Sequence, residues 1–459
     1  MMVEAKKPAF PLADGTVYSK RKNYLSLSAS APEEYARIIG QEKLERLFNV
    51  ASRLKGLQLL EINATAQGGG VAEMLLRAIP FLNILGIDAE WKVIRGNTDY
   101  FECTKGIHNL LQGMDGTFTP EMEEIYLNNL EACGNASLID YHPDVVTVHD
   151  PQPLCLTHYI KKLDEIWLWR CHIDIEEASL KDNGNLVDLI TDCVEHYDAA
   201  IFSTVHYIVS KWLMPKFIIP PFIDPLSDKN RELSQEEIDT VLNKYEIDSG
   251  VPIIAQIGRF DPWKGIDRTI ATYRKVKKER KCQLVIAGGT ATDDPEGMRI
   301  LAKILENTKD DENIHVLNLP PDSNIEINAL QRAANVIMQP STKEGFGLVI
   351  TEALWKSKPV IAGNVGGIPL QIRHGDTGYF YETPQKTVKK VISFLDNPEA
   401  ALAMGDRGKE YVREHFLMPD RITDYLMAME LLMTGALNKK TCSECIISYH
   451  PWFKLVKRK

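Results

Sequence analysis

The sequence predicts an α/β protein made of two parallel-sheet halves of the Rossmann type. Three observations carry that prediction. Short apolar runs alternate with helix-length segments in two separate series, the pattern of parallel strands covered on both faces. A stretch with four prolines, Pro215–Asn230, stands between the series and cannot be regular helix, which suits a linker. Glycine-rich turns follow several of the runs, at what would be the carboxyl edge of each sheet.

The elements follow in order. Leu57–Ile62 reads as the first strand, Gln67-Gly68-Gly69-Gly70 as a turn, and Val71–Leu85 as a helix with Glu73 near its start. Trp91–Ile94, Val145–Val148, Glu165–Trp169 and Ala199–Phe202 complete the first series. Beyond the linker, Pro252–Ile257, Gln283–Ala287, Ile314–Leu317, Val336–Met338 and Pro359–Ala362 are the strands of the second. Helix returns from Asn397 to the mid-430s, and the tail from Asn438 is basic and reads as a loosely ordered end. The expected units are 1–215, 216–418, a helix at 419–437 and a tail at 438–459. Ligands of such sheets bind beyond the carboxyl ends of strands, and two facing halves make a cleft.

Composition narrows the function classes. Of 459 residues, 44% are hydrophobic and 25% charged, as in ordinary soluble proteins. The formal charge of -10 leaves no basic excess to neutralise a nucleic-acid backbone. The longest apolar stretches, such as Ala78–Ile87, fall short of the roughly 20 residues of a membrane span. The N-terminus lacks an apolar signal core. Eight cysteines without framework spacing suggest a reducing compartment, so a cytoplasmic location is expected. Cys442 and Cys445 form a lone C-x-x-C, too little for a metal site. A homodimer is expected on general grounds.

The chemistry concentrates in a few loops. In EGFGLVITE, Glu344 precedes a glycine-bracketed turn, and a helix opening at about Gly347 would tilt the Glu352 side chain back toward it. The amides of Phe346, Gly347 and Leu348 at that helix start suit a phosphate. Two carboxylates beside an anion site suit a phosphorylated sugar, although a solvated glutamate pair would have the same spacing. Gly69 and Gly70 allow close backbone approach, but the run is not G-x-G-x-x-G and does not imply a dinucleotide. Asp150 and Gln152 follow one strand and Arg170 and His172 another, which places polar groups at a single sheet edge. Arg259 and Lys264 stand five apart in a loop after a strand, a planar fork and a mobile point charge for phosphate. Gly289 and the run Gly363–Pro369 add close turns on the same edge. Asp293-Asp294 reads as solvated, and no metal-ligand spacing stands out.

Together, G-R-F-x-x-W-K-G at Gly258–Gly265 and E-G-F-G-L-x-x-x-E at Glu344–Glu352 resemble the family 4 retaining glycosyltransferases, which have the GT-B fold. The resemblance runs from about Leu57 to Leu432. The N-terminal half is similar to glycosyltransferring trehalose synthases in its turn at Gly68–Glu73, His149–Pro153, Trp169–Asp174 and Pro220–Leu226. The resemblance implies transfer of glucose from a nucleoside-diphosphate glucose to free glucose, forming trehalose, and a helix at 419–437 that packs back on the first half.

It also implies roles. Arg259 and Lys264 would bind the diphosphate, Glu352 the ribose hydroxyls, and Glu344 hydroxyls of the donor glucose. Phe346, Gly347 and Leu348 would take phosphate oxygens, with Gly69, Gly70 and Gly289 also on the donor. His172 would sit by the reacting centre, and Asp150, Gln152 and Arg170 would orient the acceptor glucose. No prosthetic group and no catalytic metal are expected, with magnesium at most a counter-ion to the diphosphate. The expected partners are nucleotide-glucose, glucose and trehalose, not nucleic acid or membrane. A trehalose phosphorylase and a non-catalytic nucleotide-sugar-binding regulator remain the alternatives.

Overall fold

The computed structural model describes residues 31–66, 69–135, 142–160, 164–175, 183–289, 295–440 and 442–449. Among them, seven strands form a first parallel sheet: β1 (Gln58–Asn63), β2 (Asp88–Val93), β3 (Val145–His149), β4 (Ile166–Cys171), β5 (Ala199–Phe202), β6 (Lys216–Ile218) and β13 (Ile446–Ile447). Their spatial order is β13-β6-β5-β4-β3-β1-β2. Six more form the second: β7 (Ile253–Ile257), β8 (Gln283–Gly288), β9 (Ile314–Asn318), β10 (Val336–Gln339), β11 (Val360–Ala362) and β12 (Tyr379–Phe380), ordered β12-β11-β10-β7-β8-β9. The two-sheet α/β prediction therefore holds. Every residue of β3, β5 and β7 is buried, because helices cover both faces.

The core joins the halves. One apolar cluster runs from Leu59 and Phe217 in the first sheet, through Phe222 and Ile223 of the linker, to Ala255 and Ile337 in the second. The outer faces form two further clusters, one centred on Trp167 and Trp169, the other on Leu284 and Met338. The Met418–Met433 helix packs against the Gln41–Arg53 helix of the first half, with ion pairs Lys43–Asp420 at 2.9 Å and Arg53–Glu430 at 2.5 Å.

Four details depart from the sequence reading. The expected linker begins with a strand: Lys216–Ile218 adds β6 to the first sheet, which therefore extends past residue 215. Its single lysine hides the pattern, for Lys216 is buried and its ammonium donates to the Met214 carbonyl at 3.0 Å. The tail is not wholly loose, since Ile446 and Ile447 pair with Lys216 and Phe217 at the sheet edge. The helical stretch after Asn397 breaks at Phe416–Leu417, where Leu417 bridges Ile223 of the linker. Finally, Cys155–Cys193 and Cys442–Cys445 are paired, which the scattered spacing did not suggest. Residues 450–459 of the tail lie outside the described residues. Among the described residues, no helix is long and apolar enough to cross a membrane.

Candidate functional site

In the second half, the end of β7 sets one wall. Asp261 accepts a 2.9 Å hydrogen bond from the Trp263 amide and caps a short turn at Pro262–Lys264. Gly265 follows with φ 66°, and a Cβ there would stand 2.2 Å from the Pro340 carbonyl oxygen. Glycine is thus required both by dihedral and by space, and it presses the loop onto the end of β10. The Lys264 ammonium reaches both Glu344 oxygens at 2.7 Å, and Ser341 Oγ donates to one of them at 3.2 Å. Arg259, on the same loop, is exposed. Gly289 leaves β8 beside it, one residue after Gly288, which packs on the Gly258 carbonyl.

The Glu344 loop is cradled by the glycine run downstream. Gly366 has φ 56° and lies so close that a Cβ would fall 1.8 Å from the Glu344 carbonyl oxygen, while the Gly367 amide donates to Gly345 at 2.7 Å. Gly347, at φ 82°, then caps the Leu348–Trp355 helix. Gln371 donates to the Phe346 carbonyl at 2.5 Å and accepts from Thr351 at 2.6 Å, which holds the turn against that helix. The Ile350 amide bonds back to the Gly347 carbonyl at 2.9 Å, and the start of a helix otherwise offers amides without intrahelical partners, which suits a ligand or water.

Glu352, one turn along, is 2% exposed. One oxygen lies 3.0 Å from Lys229, and the other accepts from Gln331 at 3.1 Å. Lys229 also donates to both oxygens of Glu73, at 3.0 and 2.9 Å, so one linker lysine ties the two halves. Burial pushes the Glu352 carboxyl up, but Lys229 and Lys356 outweigh it and hold it below the usual range. Burial would pull Lys229 down, and Glu352 and Glu73 raise it instead. Lys356, bonded to Asn230 at 3.0 Å, is pulled down by burial to about 7. Sequence reasoning singled out Glu352 and noted Glu73, but missed Lys229 and Gln331. The one available signal was a lysine in the linker run Pro225–Asn230 that no local element needed.

The first half faces this wall. Gly69 caps the Gly70–Ile84 helix, and a Cβ on Gly70 would stand 3.2 Å from a Leu348 methyl. Two helix N-termini therefore oppose each other across the cleft. Gln67 and Gly68 lie outside the described residues. At the ends of β3 and β4, Asp150 adopts φ 62° and accepts from the His172 amide at 2.8 Å. Burial raises its carboxyl to about 6, against the pull of that amide, His149 and Arg170. Arg170 is buried with its guanidinium 5.3 Å from the Tyr425 ring, and its Nε and Nη2 have no partner among the described residues. The Gln152 carbonyl accepts from Tyr100 at 2.6 Å, and its side chain makes no described bond to the other candidates.

His172 meets the second half directly: a Cβ on Gly345 would stand 2.8 Å from its carbonyl oxygen. Tyr207 donates to the Gly345 carbonyl across the same seam, and Lys343 to that of Gln112. A pocket of about 250 Å³ opens there, lined by Gln112, Asp174, Thr342, Lys343, Val365 and Gly366. Behind His172 runs a buried chain that the sequence did not suggest. Its Nε2 is 3.0 Å from His149 Nδ1, and His149 Nε2 is 2.6 Å from Glu61. Tyr425, from the returning helix, donates to the other Glu61 oxygen at 2.7 Å.

Gly70 and His172 of the first half thus meet Leu348 and Gly345 of the second along one seam. Asp293-Asp294 lies outside the described residues. Among the described residues, one group has the composition of a metal set, His158, Asp192 and His196, and it is exposed on the first half.

Comparison with known proteins agrees with this arrangement. A family model described as "Trehalose synthase, N-terminal domain" matches residues 61–209, and "Glycosyl transferases group 1" matches 237–411. A trehalose synthase of Pyrococcus horikoshii is 44% identical over 400 residues, 86% of this chain and 94% of that protein. A trehalose phosphorylase of Pleurotus pulmonarius is more distant: 29% identical over 76% of this chain and 53% of its own length. An α,α-trehalose-phosphate synthase (UDP-forming) from Burkholderia vietnamiensis superimposes with a TM-score of 0.65 at 13% identity. That match covers 83% of this chain and 98% of that one, and it shows the shared GT-B fold.

Proposed function

Because the chain belongs to the trehalose synthase family of GT-B glycosyltransferases, we propose that it transfers glucose from a nucleoside-diphosphate glucose to free glucose, forming trehalose with retained configuration. The observation that carries this reading is the seam itself. Two helix N-termini, at Gly70 and Leu348, face one another beside the Lys264–Glu344 pair and the buried polar end of the first sheet.

In this reading the diphosphate lies between the helix starts, where unpaired amides and dipoles favour anions. Phe346, Gly347, Leu348, Gly69 and Gly70 supply backbone, and Gly289 keeps the neighbouring edge open. Arg259 and Lys264 stabilise the charge that grows as the diphosphate departs. Glu344 shares Lys264 with the donor and takes sugar hydroxyls. Glu352 receives the ribose hydroxyls, which requires it to share or release Lys229. Asp150, Gln152 and Arg170 orient the acceptor glucose, and the unpaired N–H groups of Arg170 are suited to its oxygens. The acceptor hydroxyl attacks the oxocarbenium-like sugar from the face the diphosphate leaves, and a leaving phosphate oxygen takes its proton. Contact between the halves excludes water, which would otherwise consume the donor.

Product analysis tests the reading. Purified protein is incubated with glucose and UDP-, ADP- or GDP-glucose, beside a trehalose-plus-phosphate reaction. Trehalose with free nucleoside diphosphate is expected from the first. Glucose 1-phosphate from the second alone would make the protein a phosphorylase, and nucleotide-glucose binding with no turnover in either would make it a regulator.

A further inference from the structure

The buried chain behind His172 determines more than its position. Thr147, Tyr425, Glu61, His149 and His172 are each 9% exposed or less, so each proton must be accounted for within the chain. A carboxylate can only accept hydrogen bonds. As a carboxylate, Glu61 therefore accepts from the Tyr425 hydroxyl at one oxygen and from the His149 Nε2–H at the other, 2.7 and 2.6 Å away. The Thr147 hydroxyl, bonded to Tyr425, is left to donate to the phenol oxygen. A neutral His149 that carries its proton on Nε2 has only a lone pair on Nδ1. The 3.0 Å contact from that atom to His172 then requires His172 Nε2 to be the donor. The two rings lie parallel, with an interplanar angle of 4° and centroids 5.3 Å apart, a geometry that accommodates such an in-line contact.

His172 Nδ1 is what remains. It has no partner among the described residues, and in this tautomer it carries a lone pair. Charging the His172 ring would undo the arrangement, and its surroundings oppose that. Burial, then Arg170 and His149, hold the His172 imidazole well below its ordinary range. The Arg170 guanidinium lies against Tyr425 on the same face of the sheet, and Asp150 holds the His172 amide at 2.8 Å.

We propose that Glu61 and Tyr425 are positioning residues which, through His149, lock His172 as a neutral imidazole whose Nδ1 accepts a hydrogen bond from a sugar hydroxyl in the cleft. His172 is then a hydrogen-bond acceptor and not a general acid. The returning C-terminal helix is part of the site, because it supplies Tyr425. The sugar-binding part of the inference rests on the glucosyl-transfer reading given above, whereas the tautomer does not.

The test uses the full chain with 15N-labelled histidine, since ring nitrogen shifts distinguish protonated from bare positions. Wild type should show Nε2–H tautomers for His149 and His172, assigned with His149→Asn and His172→Asn variants. Glu61→Gln should shift both signals and lower kcat by about 10- to 100-fold, the usual effect of losing the partner that orients a functional histidine. The KM for nucleotide-glucose should change less than the kcat. Glu61→Asp should restore part of the loss, because it restores an acceptor-only group. Tyr425→Phe keeps the ring against Arg170 and serves if Glu61→Gln does not fold; because it leaves the Glu61 carboxylate in place, it should produce smaller shifts and a smaller fall in kcat. A doubly protonated or Nδ1–H His172 in wild type would overturn the proposal. So would unchanged histidine signals and kcat in a folded Glu61→Gln or Tyr425→Phe variant. If the wild type makes no trehalose, the glucosyl-transfer reading fails, and the histidine spectra still decide the tautomer.

Discussion

Lys264→Met and Glu344→Gln should separate the two roles that the proposed function gives to one ion pair. The Lys264 ammonium sits 2.7 Å from both Glu344 oxygens, with the side chains 17% and 9% exposed. At that distance and an effective dielectric of about 20, the gross attraction is about 6 kcal/mol. Desolvation of both groups offsets much of it. A diphosphate carries more negative charge than one carboxylate, so it can share the lysine without displacing it. Lys264→Met then removes a charged hydrogen bond to phosphate, worth about 1.5–3 kcal/mol, or about 10- to 100-fold in nucleoside-diphosphate affinity. Its kcat should fall further, by about 10²–10³, because charge grows on the diphosphate in the transition state. Glu344→Gln frees the lysine from its competitor. Nucleoside-diphosphate binding should be unchanged or tighter while kcat falls, since the sugar loses a charged partner. Titration calorimetry with each nucleoside diphosphate, steady-state kinetics and melting curves measure all three effects. If Glu344→Gln weakened nucleotide binding as much as Lys264→Met, the pair would be a structural brace and the assignment of Lys264 to phosphate would be wrong.

Two other perturbations follow from the linker lysine and its neighbours. Lys229→Met leaves the buried Glu352 without its directly paired ammonium, which should cost about 3–5 kcal/mol and, for a chain of this length, lower Tm by roughly 3–5 °C. Glu73→Gln, at a side chain 41% exposed, should cost less than about 1 kcal/mol, so equal losses in scanning calorimetry would refute the ranking. Burial lowers Lys356 to about 7 and Lys358 to about 8, whereas an unfolded lysine titrates near about 10.4. Between those values the unfolded chain holds protons that the folded chain lacks, so stability contributed by this pair rises with pH from about 7 toward 10. Denaturation midpoints at pH 7 and pH 9 should differ less in a Lys356→Met/Lys358→Met variant than in wild type; equal differences would count against the burial argument.

Most strands were legible because a buried parallel strand is a local apolar run, and the glycines around Glu344 because a tight turn is a local demand. Gly265, Gly347 and Gly366 have positive φ at the places where the motifs put them. Lys216–Ile218 was not legible, because three residues beside a proline, one of them lysine, have no period to detect. Ile446–Ile447 became a strand only because β6 offered it an unpaired edge.

The same distinction runs through the site. The order of motifs along the chain determined the two-sheet class, the family resemblance and the loops that hold Lys264, Glu344 and His172, since each depends on neighbours in sequence. Tertiary structure alone decided which groups those residues meet. Lys229 joins Glu73 to Glu352, and Tyr425 meets Glu61 across most of the chain, because packing the returning helix on the first half brings them within hydrogen-bond reach. Their hydrogen-bond and charge partners are distant in sequence, and no local pattern encodes a partner that only the packed core brings near.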